Sequence, residues 1–573
     1  MCGIAGIIDI ENIENFSFKN QILIKIINHQ KNRGPDSSSI WSSEDEKFFI
    51  GFNWLAIQDN QDIANQPFFS ENKQHALLFN GEIFNFKELK EKYYRNHIFK
   101  TSSDTEVLFL LLRDYGETII SELEGFFSIG FFDLKNNNFF LARDRFGIKP
   151  LYYLIQNRVL YFSSTFKELN QICFNNKFDL TSEVSFYLFG SIYGSKTTNK
   201  KIKQLEPGNI FRNNNREIKI YSYYSLVNKL YEDQYNSTSI EEIVDHLRYV
   251  VKKYSVSQAD WSLMLSSGID SNILKNLLNS ETTTFTLLFN DRKIYSEKSL
   301  IKKTKNNIFF EVNCENEKKN IFNKYLNSME QPTIDGFNTY LITYLIKRHN
   351  INNKVCLSGL GLDELLGGYK YKKKILISKF IFNFNKIFNN NFLNKYIKNM
   401  DPKKYLNNFD KDANFQNYLL FRLITPFEYL SKDYNFNELH QAYEELFTIM
   451  HDKINEIKVI NNNNEFIFDL LNFEFYLKDQ LLKDGDNMSM DNSIELRFPF
   501  LEHNFVEKIF KFRKFNKIDK KNLAAHFIKD KLILNKKKTG FSFPIPISIN
   551  KNIPKYFNYQ IEILSNFKKN IGI

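Results

Sequence analysis

A cysteine at position 2 can combine a nucleophile and a base in one residue. If Met1 is removed, Cys2 carries both a thiol, with a pKa of about 8.5, and a free α-amine, with a pKa of about 8. The amine can then take the thiol proton, directly or through water, which leaves a thiolate. A single cysteine is more often a small buried hydrophobic residue than a nucleophile. Only the location of this cysteine at residue 2 indicates a catalytic role.

Four polar blocks follow Cys2 in the first half of the chain. Each block alone is typical of a turn; Asn-Gly, for example, is a common hairpin turn. The interpretation as a site therefore depends on their joint occurrence and order. The blocks are Arg33-Gly34-Pro35-Asp36, Asn80-Gly81-Glu82, Ser103-Asp104, and the run from Ala142 to Tyr152.

The second half contains a serine-rich turn between a strand and a helix. The segment from Leu265 to Ser271 reads LSSGIDS, and it places consecutive backbone N–H groups and hydroxyls at a helix N-terminus, where an anion is stabilised. It is not a Walker A loop, because no Gly-Lys-Ser/Thr follows. As an isolated heptapeptide it is also typical of a helix N-cap.

A second acidic turn follows a later strand. The run from Leu357 to Tyr369 contains Asp363, and if its strand neighbours the first one, Asp270 and Asp363 face one crevice and can share a divalent cation such as Mg²⁺. Alone, Asp363 and Glu364 read as ordinary acids of a first helical turn. Three more polar blocks lie downstream: Asp486 to Met490, Glu495 to Glu502, and Lys536 to Phe541.

Two different patterns of predicted elements position these residues. Up to about residue 166 the pattern is of short apolar strands separated by turns, with helices predicted over 20–28 and 104–115, which indicates antiparallel sheets. Beyond residue 241 the order strand, tight turn, helix predicts a parallel sheet. We expect a first domain over 2–212, a linker over 213–235 and a second domain over 236–573, with a helical elaboration of unassigned purpose over 369–463.

Composition excludes several classes of protein. The 573 residues are 43% hydrophobic and 25% charged, which is ordinary for a multidomain globular chain. A net charge of +11 is modest for this length and does not indicate nucleic-acid binding. Four scattered cysteines and the lack of a long apolar run predict a cytoplasmic protein without a transmembrane segment.

In order and spacing, the N-terminal blocks resemble the class II, N-terminal-nucleophile glutamine amidotransferases. The whole set of blocks, with Glu330 to Thr333 and Tyr340, resembles the glutamine-hydrolysing asparagine synthetases from end to end. The resemblance implies an α+β sandwich of αββα layers, followed by an α/β parallel-sheet ATP-pyrophosphatase domain with helical additions. It also implies that ATP adenylates a carboxylate, that pyrophosphate leaves, and that ammonia from glutamine, arriving through an internal channel, attacks the acyl-adenylate.

The resemblance also implies roles for individual residues. Cys2 would attack the glutamine amide, and the Asn80 side chain and Gly81 N–H would form the oxyanion hole. Lys538 would stabilise charge in the synthetase step. The glutamine-binding residues implied are Leu55, Ile57, Asn80, Gly81, Glu82 and Asp104. Those implied for ATP are Leu265, Ser266, Ser267, Gly268, Asp270, Ser271, Leu287, Ser358 and Gly359, with Asp270 and Asp363 as ligands of Mg²⁺.

Two positions depart from the family pattern. Trp54 stands where the family usually has an Arg that clamps the glutamine α-carboxylate, which predicts weaker glutamine binding. Leu360 stands where housekeeping members commonly have Glu, and a Gly-Leu-Gly branch looks linked to surface-polysaccharide pathways. The acceptor is therefore aspartate or, alternatively, a uronic acid or similar carboxylate.

Other relatives fit the residues less well. Cyclases with this fold usually lose the N-terminal cysteine, and a non-catalytic relative would show erosion of Asp270, Asp363 and Lys538. The expected partners are small molecules, namely glutamine, ATP and the carboxylic acid. A homodimer is one assembly that the resemblance allows.

Overall fold

Two antiparallel sheets form the first part of the chain. The computed structural model describes residues 2–58, 64–174, 177–214, 217–232, 238–288, 301, 306–312, 314–368, 412–425, 430, 434–536 and 555–572. Six strands in the order β10-β8-β9-β1-β3-β2 form one sheet, and six in the order β12-β11-β7-β6-β5-β4 form the other. The strands are β1 (Gly3–Ile8), β2 (Ser37–Ser42), β3 (Phe48–Trp54), β4 (Phe68–Phe69), β5 (His75–Ile83), β6 (Gly125–Asp133), β7 (Asn138–Arg143), β8 (Tyr152–Gln156), β9 (Val159–Ser163), β10 (Ile202–Gln204), β11 (Asn209–Asn214) and β12 (Glu217–Ser222).

The sheets face each other and carry helices on their outer sides. Successive side chains of a strand point to opposite faces. Along β1, Ile4 and Ile8 pack toward the second sheet, whereas Ala5 and Ile7 pack toward the first helix. This layering confirms the αββα sandwich. Its helices are α1 (Phe16–His29), α2 (Phe86–Tyr94), α3 (Asp104–Tyr115), α4 (Lys167–Ile172) and α5 (Leu180–Phe189), with 3₁₀ turns at Gln30–Arg33 and Gly116–Glu122.

A five-stranded parallel sheet organises the second part of the chain. Its order is β15-β14-β13-β16-β17, and each neighbouring pair is parallel. Because β13 and β16 are adjacent, the turns that follow them lie at the same edge of the sheet. The predicted α/β domain is confirmed. The strands are β13 (Asp260–Met264), β14 (Thr284–Leu288), β15 (Asn307–Glu311), β16 (Asn353–Leu357) and β17 (Glu495–Arg497).

Helices surround the parallel sheet and extend it. They are α6 (Leu226–Glu232), α7 (Ile240–Tyr254), α8 (Ile269–Leu277), α9 (Glu315–Ser328), α10 (Phe337–His349), α11 (Leu362–Leu366), α12 (Ala413–Arg422), α13 (Phe436–Ile460), α14 (Asn464–Leu471), α15 (Leu482–Met490), α16 (His503–Phe515), α17 (Lys520–Ala525), α18 (Lys531–Leu534) and α19 (Lys555–Asn570), with a π-helix at Asn472–Leu481 and a 3₁₀ turn at Pro499–Leu501. Among the described helices, none combines the length and the apolar character needed to cross a bilayer.

Two regions of the expected organisation can be compared with the structure. The segment predicted as a linker, 213–235, includes β12, which pairs with β11 as the edge of the second sheet. We therefore propose that the boundary between the domains lies after Ser222. In the predicted helical elaboration, residues 369–411 lie outside the described part, and α12 and α13 account for most of the rest.

Candidate active sites

Cys2 is held just before the first strand of the sandwich. Its N–H donates to Asn80 Oδ1 at 3.0 Å, and its carbonyl oxygen accepts a bond from Arg33 Nε at 3.3 Å. The residue is buried, and burial raises the pKa of the Cys2 thiol. A base is therefore needed to produce the thiolate that a nucleophile requires.

A small cavity of about 40 Å³ lies beside Cys2. Most of the sequence-predicted glutamine-binding residues line it, and Asn80 lies fully buried next to it. Gly81 is required by close packing, because a Cβ at that position would lie 2.0 Å from the carbonyl oxygen of Phe126. The lining residues are Cys2, Trp54, Leu55, Ile57, Gln58, Ala64, Gln66, Phe79, Gly81, Glu82, Ser103, Asp104, Thr105 and Glu495.

Two acids from the sandwich converge on this cavity. Asp104 begins α3, where Ser103 caps the helix by accepting from Thr105 N at 2.9 Å. Burial raises the pKa of Asp104 to about 6, although its Oδ2 accepts a bond from Ile83 N at 2.9 Å, which opposes the rise. Burial also raises the pKa of Glu82, against the nearby positive charge of Arg497.

No lysine or arginine is among the described residues that line the cavity. Trp54, at the end of β3, occupies part of its wall. Arg143, the last residue of β7, and Arg145 make their hydrogen bonds elsewhere. Arg143 donates to three backbone carbonyl groups, and Arg145 donates to two.

The parallel-sheet domain supplies an acid and a cation that the sequence did not assign to this site. Glu495 lines the cavity, and Arg497 forms ion pairs with both Glu82 and Glu495. Both residues are on β17, where positions two apart share a face of the strand. This two-residue spacing was the only sequence signal that Glu495 and Arg497 act together. It does not indicate that their face of β17 contacts the sandwich domain.

A second buried ion-pair network ties the two halves together near Cys2. Arg33 Nη2 lies 2.7 Å from Asp486 Oδ2, and Lys149 Nζ lies 3.4 Å from Asp486 Oδ1. All three side chains are buried. The first half thus contributes two cations and the second half contributes the carboxylate, so the position of Cys2 depends on both.

The serine-rich turn after β13 has the compact shape expected of an anion cradle. Ser266 N and Ser266 Oγ each lie 3.0 Å from Ser271 Oγ, and Gly268 N donates to Ser266 Oγ at 3.1 Å. The strand bearing Leu287 lies alongside, because Leu265 N donates to the Phe285 carbonyl at 2.8 Å. The turn therefore opens at the carboxyl edge of the sheet.

The turn after β16 lies against the serine-rich turn. A Cβ on Gly359 would lie 2.9 Å from the backbone nitrogen of Ser271, so only glycine permits this approach. Ser358 N donates to the Arg497 carbonyl at 2.9 Å. The structure thus brings together the residues predicted for ATP.

The two predicted metal-binding acids share one lysine partner. Lys520 Nζ lies 2.6 Å from Asp270 Oδ1 and 2.5 Å from Asp363 Oδ1, and these carboxylates raise the pKa of Lys520 even though its burial opposes the rise. Two carboxylates around one cation suit Mg²⁺, which takes its other ligands from water and phosphates. Among the described residues no larger metal-binding cluster occurs.

One predicted catalytic residue cannot be placed. Lys538 lies outside the described residues. Lys536, two positions earlier, hydrogen-bonds to Ser267 Oγ of the serine-rich turn. Lys520 was not predicted as a site residue, because nothing in the sequence distinguishes it from the neighbouring lysines.

Comparison with known protein families covers both halves. Residues 1–224 match the family model described as "Glutamine amidotransferase domain", and residues 242–563 match "Asparagine synthase". The chain belongs to the asparagine synthase family. The family expected from the sequence blocks is therefore confirmed.

Several named members of the asparagine synthase family are similar to the chain. Asparagine synthetase [glutamine-hydrolyzing] 1 of Bacillus subtilis is 26% identical over 580 residues, which covers 95% of this chain and 87% of the relative. Asparagine synthetase [glutamine-hydrolyzing] 2 of the same organism is 34% identical over 306 residues, 50% of this chain and 40% of the relative. Asparagine synthetase B [glutamine-hydrolyzing] of Escherichia coli is 27% identical over 281 residues, 48% of this chain and 44% of the relative.

Proposed function

We propose that the chain amidates aspartate to asparagine, using ATP and ammonia released from glutamine. The observation that carries this proposal is the presence of two sites, a cysteine cavity and a serine-rich anion cradle, joined by buried contacts such as Arg33–Asp486 and the Ser358–Arg497 backbone bond. The names of the similar proteins agree with both sites. We place the reaction in the cytoplasm, where a reducing environment keeps Cys2 as a thiol.

In the first half-reaction, the Cys2 thiolate attacks the amide carbon of glutamine. The carbon–nitrogen bond breaks, the nitrogen leaves as ammonia with the proton taken from the thiol, and a thioester remains that water hydrolyses to glutamate. The developing oxyanion would be met by the Asn80 amide and Gly81 N–H, each worth roughly 3 kcal/mol. Removal of Met1 would free the Cys2 α-amine to act as the base.

In the second half-reaction, a carboxylate oxygen of the acceptor attacks the α-phosphorus of ATP, and pyrophosphate leaves. Ammonia then attacks the acyl-adenylate carbonyl, and AMP leaves with the bonding electrons of the broken C–O bond. The Ser266–Ser271 turn would hold the phosphates through its N–H groups and hydroxyls. Lys538 would stabilise the charge that develops on the phosphates.

Asp270 and Asp363 would hold Mg²⁺. The ion, when bound, neutralises phosphate charge and orients the leaving pyrophosphate. Lys520 already brings a positive charge between the two carboxylates. It holds both side chains toward one point and keeps them from repelling each other.

A second acceptor is favoured by one observation. Leu360 lies between the nucleotide turn and α11 and is packed against the apolar core, so it offers no group that can move a proton. The same chemistry on a uronic acid or a related carboxylate of a polysaccharide precursor is therefore our second candidate.

A screen of carboxylic acids tests the proposal. Purified protein with ATP, Mg²⁺ and ammonia is assayed for pyrophosphate release in the presence of aspartate, glutamate or uronic acids. We expect release with aspartate, and asparagine as the product. Release with a uronic acid and none with aspartate would replace the first candidate by the second, and no release with any acid would refute both.

A further inference from the structure

The cavity beside Cys2 is lined by acids from both halves of the chain. Glu82 and Asp104 belong to the sandwich, and Glu495 belongs to the strand β17 of the parallel sheet. Glu82 and Glu495 are both buried, and Arg497 forms an ion pair with each of them. The glutamine-binding residues implied by the family resemblance include Glu82 and Asp104 but not Glu495.

Arg497 fixes this pair of carboxyl groups. Its Nε donates to Glu495 Oε1 at 2.7 Å, and its Nη2 forms an ion pair with Glu82. Its Nη1 donates to the carbonyl groups of Tyr254 and Val256 at 2.9 and 2.6 Å. Because the Arg497 side chain is fully buried and backbone carbonyl groups accept hydrogen bonds from its guanidinium, this group is a counter-ion with a fixed position.

The charge arrangement suits a second cation at the cavity. Besides Arg497, the titratable groups that face Glu82 are Glu495, Asp104, Cys2 and Tyr254. Three carboxyl groups therefore lie around the Arg497 guanidinium, and the positive charges of the N-terminal amine and of Lys149, which is paired with Asp486, also act on Glu495. An α-ammonium group that enters the cavity would add a positive charge next to these carboxyl groups.

We propose that the second half of the chain completes the glutamine cavity, with Glu495 as a third acid that faces the α-ammonium group and Arg497 as the positioning residue that holds Glu82 and Glu495. This inference rests on the proposed function, because it takes glutamine as the occupant of the cavity. Without glutamine, Glu82 and Glu495 share a proton. The ammonium takes the place of that proton, the O–H bond breaks with its electrons staying on the carboxylate, and the proton leaves to solvent.

Burial and charge support this exchange. Burial raises the pKa of Glu82, and the like charge of Glu495 adds to the rise. Although burial opposes it, the positive charge of Arg497 holds the pKa of Glu495 below its usual range. One member of the pair is therefore protonated and the other ionised near neutral pH, which is the state from which one proton can be released.

Two substitutions in the full-length enzyme test the inference. Glu495→Gln keeps the size of the side chain and removes its charge. Arg497→Lys keeps the positive charge but loses the planar guanidinium that contacts Glu82 and Glu495 together. We expect each to raise the KM for glutamine about tenfold near pH 8.5, with kcat for glutamate release changed by less than about threefold. Ammonia-dependent amide formation should stay within about twofold of the wild-type rate, because the second site does not use these side chains.

A matched control and a binding measurement exclude a merely structural role. Lys568→Gln breaks another ion pair between the halves, Lys568–Glu183 at 2.9 Å, and should leave the KM for glutamine unchanged. Calorimetry of glutamine binding to the Cys2→Ala protein in two buffers of different ionisation enthalpy should show release of up to about one proton near pH 7. Cys2→Ala combined with Glu495→Gln should release clearly less.

The outcomes separate this inference from the proposed function. Unchanged KM and unchanged proton release in Glu495→Gln, in an enzyme that hydrolyses glutamine and forms the amide, would overturn the inference and leave the function intact. Should Arg497→Lys fail to fold, Glu495→Gln decides alone. A wild-type enzyme that forms the amide from ammonia but neither binds nor hydrolyses glutamine would overturn both.

Discussion

Substitution of Trp54 by arginine should improve glutamine binding. In the cavity beside Cys2, the described wall offers acids to the ammonium group of glutamine and no cation to its α-carboxylate. Trp54 stands where the resembling family usually has an Arg for that purpose. We therefore expect wild-type enzyme to hydrolyse glutamine with an elevated KM.

The size of the effect follows from what the nearby cations already bind. The guanidinium groups of Arg143 and Arg145 already donate hydrogen bonds to backbone carbonyl groups, and Arg497 forms ion pairs with Glu82 and Glu495. A charge-assisted hydrogen bond is worth about 1.5–3 kcal/mol, which is roughly ten- to a hundredfold in affinity. Because the α-carboxylate is remote from the scissile amide, we expect most of the change in KM and little in kcat.

Ammonia release measured with two substrates checks this reasoning. Wild type should use L-glutamine and its α-carboxamide with KM values within about threefold, since neither finds a cation. Trp54→Arg should lower the KM for L-glutamine by about tenfold or more and leave the carboxamide unchanged. Trp54→Gln, which removes the ring without adding charge, is the matched control and should not gain this selectivity.

One result would refute the argument. If wild type already prefers L-glutamine to the carboxamide by more than about tenfold, a cation that the lining residues do not show holds the carboxylate. A higher KM in Trp54→Arg, with unchanged ammonia-dependent activity, would show that the indole itself shapes the substrate pocket.

Four other expectations concern the two sites. Cys2→Ala should abolish glutamate release and retain ammonia-dependent amide formation; equal loss of both would contradict two separate sites. Asp270→Asn and Asp363→Asn should each stop AMP formation with either nitrogen source, as followed by pyrophosphate release, because Mg²⁺ loses a charged ligand; full turnover would exclude the metal site. Lys538→Ala should depress kcat of the synthetase reaction much more than it raises the apparent ATP constant, and the reverse would place it on a solvated loop. Since the pKa of Glu82 is raised to about 8 and its proton competes with the ammonium group, the KM for glutamine should rise as pH falls below about 8, by at most about tenfold per pH unit, while a flat profile would contradict the exchange.

The local elements were predictable because the determinants are local. The apolar spacing of Val107, Leu108, Leu111 and Leu112 with the Ser103 cap predicts a helix over 104–115, and α3 has those bounds. The strand-turn-helix order around Leu265 to Ser271 likewise predicts the serine-rich turn, which the structure contains. The αββα layers were expected from the family resemblance instead, since strand patterning alone does not specify which sheets pack together.

The contacts between distant segments were not predictable from one sequence. Glu495 and Glu82 are far apart along the chain, and only the folded arrangement shows that one arginine binds both. Lys520 is one of many lysines, and its contacts with Asp270 and Asp363 depend on where α17 packs. The strand β12 (Glu217–Ser222) falls in the segment that was predicted as a linker, although its pairing with β11 makes it a sheet edge.

The buried pairs Arg33–Asp486 and Glu82–Arg497 also affect the order of events while the protein is being synthesised. A ribosome completes the sandwich at Ser222, roughly 270 residues before it reaches β17, which at 5–20 residues per second is a delay of about 14–55 s. During that interval the nascent chain has Cys2 but lacks the partners that fix Arg33 and Glu82. We therefore expect glutamine hydrolysis to begin only once the chain that carries Glu495 and Arg497 has been added, so that an unfinished chain would release little ammonia.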